Sequence, residues 1–314
     1  MRRAVAPVPA TKRLRRFVRY LLLRALVAPL QLLPLGVACS LGASLGGLVF
    51  ALAGRERKKA LASLAVAFPE WTEAQRVDLA RRCFRHLGTQ AAEVLLVRQL
   101  DARRAECVTW EPAARAAMDA ALAKGKGVVF VTGHVGNWEL LARHVALEGY
   151  LAYVIGKEAS DPRTTKWIES MRTSGKLNVI WRGHQGAAKA MLRALKSNGI
   201  LGLLIDQDTK VQSLWVPFFG KPAKTPRAAA DLALRTGAVP MLGFCVREGP
   251  LRYRITMETV PLPATEGEAA ALELTAMLTA GIEKKIREVP EQWVWMHQRW
   301  KSPPPEAPVE APRP

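Results

Sequence analysis

The sequence predicts an α/β fold: a central, largely parallel or mixed sheet flanked by helices, preceded by a hydrophobic membrane-anchor helix at the N-terminus. Three observations carry that expectation. From about residue 113 short apolar runs alternate with helix-length segments, a charge-free stretch runs from Ala25 to Gly54, and positive charge is crowded ahead of and just behind that stretch. At 49% hydrophobic and 23% charged over 314 residues, the chain can bury a sizeable core, which excludes wholesale disorder.

Charge distribution narrows the function classes. Lys plus Arg number 46 against 27 Asp plus Glu, a net +19. Residues 1–60 hold 12 of those basic residues and a single acid, Glu56. A nucleic-acid binder has no need to gather its charge in this way, whereas a membrane-surface anchor does. The uncharged run exceeds the roughly 20 residues a helix needs to cross the hydrocarbon layer. Pro29 and Pro34 in its first third predict a kinked span or a shallow re-entrant helix. Basic residues flank both sides, so loop charge leaves its orientation open. The expected organisation is a basic N-terminus with anchor over 1–54, an α/β domain over 55–301, and a disordered Pro-rich tail over 302–314.

Within the domain, residues 55–100 read as helical, with Thr72 and Glu73 placed to start a long helix. Gly127–Thr132 reads as a buried strand followed by a helix from about Asn137. Leu151–Ile155, Asn178–Trp181 and Ile200–Ile205 repeat that arrangement. Ala238–Val246 and Leu251–Val260 read as two strands joined by a hairpin, and 266–288 as a long helix. Cys39, Cys83, Cys107 and Cys245 are scattered without a CxxC pair, which points to buried thiols in a reducing compartment and to no metal centre.

In such sheets chemistry collects at the carboxyl ends of the strands. The loop after the first strand reads Gly133-His134-Val135-Gly136-Asn137-Trp138-Glu139. His134 and Glu139 lie about 140° apart on a continuous helix, so they meet only if His134 sits in the turn and Glu139 folds back from the first helical turn. A carboxylate on one imidazole nitrogen would leave the other as a general base, and the helix N-terminus offers N–H groups for an oxyanion. Asp206, Gln207 and Asp208 follow the fourth strand. Asp206 and Asp208 read as structural carboxylates, with Arg172 as a candidate partner, since His and Glu at ligand spacing are missing around them. Arg172 itself is either a solvated helix charge or a group for an oxyanion or phosphate. Phe218 and Phe219 either border an apolar groove or pack within a loop. Thr225-Pro226 reads as a helix cap with proline at the first helical position. His86 and His144 read as packing or surface residues, His184 as an incidental strand-end residue, and His297 with Arg299 as a candidate headgroup contact. Trp293, Trp295 and Trp300 beside these two are either core or an interfacial patch.

His134 to Glu139, HVGNWE, resembles the His-x4-acid motif of membrane glycerolipid acyltransferases, and in its HxxNWE wording the bacterial lipid A late acyltransferase family of lauroyl and myristoyl transferases. Further blocks resemble that family in the same order: LAVAFPEWT from Leu64 to Thr72, Arg172-Thr-Ser-Gly175 (one residue shorter than the family's stretch), Asp206-Gln207 through Val216-Pro217-Phe218-Phe219-Gly220 to Thr225, and Trp293 to Lys301. The resemblance implies an enzyme of the inner membrane, facing the cytoplasm. It would move a fatty acyl chain from acyl carrier protein, an acidic partner, to a hydroxyl of a lipid A precursor, with no cofactor. His134 would be the general base oriented by Glu139, with Asn137, Arg172, Asp206, Gln207, Phe218 and Phe219 about the substrates. Acyl-CoA as donor and another glycolipid or a lysophospholipid as acceptor stay open.

Rival readings are weaker. Gly42-Ala43-Ser44-Leu45-Gly46 matches GxSxG but lies within the uncharged run, where small residues four apart suit helix contacts in lipid. Nucleotide binding lacks its GxxxxGK[ST]. A purely membrane-binding module explains the basic anchor but has no use for a strand-end His134/Glu139 pair.

Overall fold

A computed structural model of the protein describes residues 9–304. The Pro-rich tail expected from residue 302 therefore falls, from 305 on, outside the described residues, as do Arg2 and Arg3. The uncharged run, expected as a kinked span or a shallow re-entrant helix, is divided between two helices, α1 (Ala10–Leu30) and α2 (Leu35–Leu52). Pro34 lacks an N–H and occupies the N-cap of α2, a position where that loss costs nothing, so the chain turns there.

Next come α3 (Gly54–Ala67) and α4 (Glu73–Leu95), the latter opened by a capping box in which Thr72 and Gln75 exchange hydrogen bonds. Two short helices, α5 (Val97–Ala102) and α6 (Arg104–Cys107), lead to β1 (Val108–Trp110) and α7 (Pro112–Ala123). The expected alternation follows as β2 (Val128–Thr132), α8 (Trp138–Leu147), β3 (Ala152–Gly156), α9 (Pro162–Thr173), β4 (Asn178–Trp181), α10 (Ala187–Lys196) and β5 (Ile200–Leu204). A hairpin of β6 (Ser213–Phe218) and β7 (Lys221–Pro226) precedes α11 (Ala228–Thr236), β8 (Val239–Gly249), β9 (Arg252–Thr259) and α12 (Gly267–Glu288).

The sheet order is β1-β9-β8-β2-β5-β3-β4, with β8 and β9 antiparallel and the other neighbours parallel. The mixed sheet flanked by helices is thus the fold expected from the alternating pattern. Strand β2 lies at its centre, buried along its whole length, which is why it reads as an unbroken apolar run. Its side chains alternate between two cores: Val129 and Val131 pack with α3, α4, α11 and α12, while Val128 and Phe130 pack with α7 and α8.

One local expectation fails, and one pair of alternatives is decided. Thr225 does not cap a helix: it lies in β7, where its hydroxyl bonds Ala223 O and receives Arg299, and the next helix begins only at Ala228. Phe218 and Phe219 do not border a groove: they are buried at the β6–β7 turn, in a cluster with Trp293, Trp295 and Trp300. An aromatic pair at a tight turn packs inward once a second aromatic segment lies against it, and the segment after α12 supplies one.

Candidate active site

Parallel pairing of β2 with β5 sets the geometry. Thr132 stands opposite Leu204, so the residues two beyond each strand end, His134 and Asp206, emerge side by side. Asp206 Oδ1 lies 2.8 Å from His134 Nδ1, and Oδ2 accepts from the His134 backbone N–H and from Trp293 Nε1, both at 2.7 Å. The Asp206 side chain is fully buried and that of His134 is 24% exposed. Burial alone would raise the Asp206 carboxyl. The charge of His134 and the hydrogen bonds from His134 and Trp293 outweigh it and hold the group down to about 2. An ionised carboxylate only accepts, so Nδ1 carries a proton, and in the neutral ring Nε2 is the nitrogen left with a lone pair.

Glu139 does not meet His134. The helix carries it round to Arg172 of α9, whose Nε donates at 3.0 Å and whose Nη2 makes a second bond. The expected Glu139–His134 and Asp206–Arg172 contacts are therefore both replaced by the opposite pairing. The physical reason is the helix turn: with Asn137 capping α8, Glu139 sits inside the first turn facing α9, away from the β2–β5 seam.

Asn137 is buried. Its Oδ1 accepts the Leu140 N–H at 3.0 Å, and its Nδ2 donates to Glu93 at 2.8 Å. Glu93 of α4, 1% exposed, also takes Tyr253 Oη and an ion pair from Arg247, so one carboxylate ties α4, β8, β9 and the His134 loop together. Gly136 adopts φ +62°, and a Cβ there would stand 2.1 Å from Cys245 O, so only glycine allows the loop to lie on β8. Neither Glu93 nor Trp293 was singled out as a site residue. Glu93 offers no sequence signal beyond an acid at the end of an amphipathic helix, whereas Trp293 sits in a tryptophan-rich segment whose role the sequence left open.

Two adjoining clefts meet at the Glu139–Arg172 pair. The first, about 560 Å³ and partly open to solvent, runs between the sheet and α8 and is lined by Phe130, Trp138, Tyr153, Val154 and Leu204. The second, about 730 Å³, lies against Val94, Val97, Ile168 and Met171. Trp138 joins the first cleft to the general-base candidate, its ring edge-on to His134 at 4.9 Å.

The remaining candidates lie elsewhere. Gln207 is half-buried in the loop after β5, and Asp208 is buried, accepting from Ser302 N–H with Lys301 on its carbonyl. Arg299 is wholly buried, bonded to Lys224 O and Thr225, so it is not free for a headgroup, and burial pushes it down to about 10. Trp293 and Trp295 belong to the core. His184 pairs with Glu158 at 3.1 Å on the surface.

A family model described as bacterial lipid A biosynthesis acyltransferase matches residues 8–302. The chain is similar to a phosphatidylinositol mannoside acyltransferase of Mycobacterium tuberculosis (strain CDC 1551 / Oshkosh), 26% identical over 186 residues, which covers 58% of this chain and 57% of that relative. It is also similar to the lipid A biosynthesis palmitoleoyltransferase of Escherichia coli K12, 26% identical over 281 residues and 87% of each chain. The lauroyltransferase of the same organism is 27% identical over 281 residues, 87% of this chain and 88% of the relative. With the family's pattern matched from residue 8 to residue 302, the chain belongs to the bacterial lipid A biosynthesis acyltransferases.

Proposed function

We propose that the protein transfers a fatty acyl chain from an acyl carrier protein thioester to a hydroxyl of a membrane glycolipid of the lipid A precursor type, at the cytoplasmic face of the inner membrane. The observation that carries the reading is His134, held by Asp206 through Nδ1 and lying against Trp138, which lines a mainly apolar cleft. Nε2 takes the acceptor hydroxyl proton as the oxygen attacks the thioester carbonyl, and Asp206 stabilises the imidazolium that forms. The carbon–sulfur bond then breaks, and the thiolate leaves and takes the proton back from His134. Bonds and protons balance between the two substrates and His134 alone. The acyl chain occupies the apolar cleft, and Arg172, steadied by Glu139, faces the anionic part of a substrate at its rim.

The excess of basic residues suits both an acidic carrier protein and a phosphorylated lipid. A second acceptor class, a mannosylated phosphoinositide, is favoured by the mycobacterial relatives' names. Purified wild type and His134→Ala in detergent, given labelled acyl carrier protein and a panel of acceptors, decide among these by lipid mass. A gain of one acyl chain with wild type alone supports the reading, and the acceptor that gains it identifies the class. Transfer by His134→Ala at the wild-type rate, with the same thermal unfolding, would remove the mechanism.

A further inference from the structure

We propose that α1 and α2 lie in the plane of an anionic bilayer surface, with neither helix crossing it. The inference rests on the membrane association put forward above and deepens it from an anchor to a geometry.

Helix α1 is unsuited to cross. Lys12, Arg13, Arg15, Arg16, Arg19 and Arg24 are spread along it, and its longest uncharged stretch is the last turn and a half, Ala25–Leu30. Its exposed apolar residues Leu14, Val18, Leu21 and Leu22 recur at helical spacing on one side, with the cations filling the rest of the circumference. That is the pattern of a helix half-sunk among headgroups. It is also docked on the domain: Arg24 lies over Trp167 at 5.4 Å and Arg163 over Phe17 at 4.5 Å, both pairs joining α1 to α9.

Helix α2 is long and apolar enough to cross, with mean hydropathy 1.9. One side of it, however, is locked onto α4. A Cβ at Gly42 would stand 2.3 Å from Gly88 O, and one at Gly46 would stand 2.1 Å from Phe84 O, so the two backbones touch. Arg85 of α4 reaches over Gly47, about two-thirds of the way along α2. Standing α2 upright in a bilayer would drag Arg85 and its neighbours Arg81 and Arg82 into hydrocarbon. The opposite side of α2 presents Val37, Leu41, Leu45, Leu48 and Leu52, each at least 43% exposed, in a continuous stripe from end to end. A surface-lying helix exposes such a stripe to acyl chains while its other side stays on the domain.

Charge selects the occupant. The 12 basic residues against one acid in residues 1–60 favour anionic headgroups over an acidic or neutral protein surface with no apolar stripe to match. The placement also bears on the reaction. Helix α9 meets α1 through Arg163 and Trp167, while its Ile168, Met171 and Arg172 line the second cleft beside Glu139. A lipid in the bilayer surface is thus one helix away from the candidate active site.

The test uses the full chain carrying one added cysteine at a time, Leu22→Cys, Val37→Cys, Leu45→Cys or Leu52→Cys, labelled with bimane; the four native thiols are buried. Activity equal to that of the unlabelled chain certifies each fold. Binding is read by co-sedimentation with vesicles of phosphatidylethanolamine and phosphatidylglycerol, and depth by quenching from lipids brominated at successive acyl carbons. The expected result is binding at least tenfold weaker to pure phosphatidylcholine, with all four probes quenched most by the same shallow bromines. Deepest quenching at Leu45 with shallow quenching at Val37 and Leu52 overturns the in-plane geometry and leaves membrane association standing. Failure to sediment with any vesicle overturns both.

Discussion

A neutral imidazole exchanges its proton between two nitrogens, and only one of the tautomers presents a base at Nε2. At His134 the choice is made by Asp206, which accepts from Nδ1 at 2.8 Å while Trp293 and the His134 backbone N–H hold its other oxygen. Asn at 206 keeps the size but can donate to Nδ1 and so favour the wrong tautomer. Asp206→Asn is therefore expected to lower kcat by about 10³- to 10⁴-fold with the fold intact. Glu139→Gln acts through Arg172 instead and is expected to lower activity without moving the acidic limb of the pH–rate profile. Steady-state rates across pH for both variants check this, and an Asp206→Asn enzyme with near wild-type kcat would sink the assignment. Of these residues His134 was legible, because a histidine in a glycine-flanked turn after a buried strand is a local pattern. Its partner was not. The carboxylate five residues away looked the nearer choice, whereas Asp206 is 72 residues distant and arrives only because β5 pairs with β2.

Element by element, legibility followed periodicity. Strands β2 to β5 and the helices between them stand out as apolar runs and amphipathic segments, and Asn137 as a helix cap. The β6–β7 hairpin was hidden, since Pro217, Pro222 and Pro226 mark it as a loop and only an isolated two-stranded pair tolerates them all. Strand adjacency was hidden for a different reason: hydrophobic period reports which face is buried, not which neighbour buries it. The small residues of α2 carried the right message about contact with the wrong partner, for they meet α4 rather than another helix in lipid. There α4 is clamped, with Phe84 and Gly88 against α2 and Glu93 against the His134 loop. A Cβ at Gly88 would lie 2.0 Å from Gly42 O, backbone against backbone, so the helices must part. Gly88→Ala is expected to destabilise by about 1–3 kcal/mol, the cost of overpacking, even after the gain in helix propensity. Gly36→Ala, with open space around its Cβ, is the matched control and is expected to be neutral or slightly stabilising. Denaturant unfolding in detergent compares the two, and equal stability of Gly88→Ala and wild type would deny the close crossing.

For the whole molecule, two buried histidines, His86 and His144, and the half-buried His297 tie stability to pH. Burial, the largest cause in each, pushes His86 down to about 3 and His144 and His297 to about 4, below the ordinary value of 6.5. In the unfolded chain these groups take up protons as pH falls through about 6.5. In the folded chain they stay neutral until about 4. Between those values the unfolded state binds more protons, so stability is complete above about 6.5 and is lost as pH falls toward 4. His86 and His144 each contribute a slope of up to about 1.4 kcal/mol per pH unit in that window, and His297, screened by solvent, less. Asp206 adds its loss later: its carboxyl, held at about 2, stabilises the fold above the usual carboxylate range and ceases to do so only between about pH 4 and 2. The expected curve therefore bends downward near pH 6.5, is steepest between about 6 and 4, and below 4 falls on through His86 and Asp206 alone. Replacing His144, 1% exposed with its Nε2 buried and unbonded, by Leu removes one proton from the upper step and is expected to flatten the slope between pH 6.5 and 4. Thermal midpoints of wild type and His144→Leu at pH 7.5, 6 and 5 measure that difference. A wild-type midpoint unchanged from pH 7.5 to 5 would mean that these imidazoles are protonated in the folded chain, and that the core around them is wetter than its packing indicates.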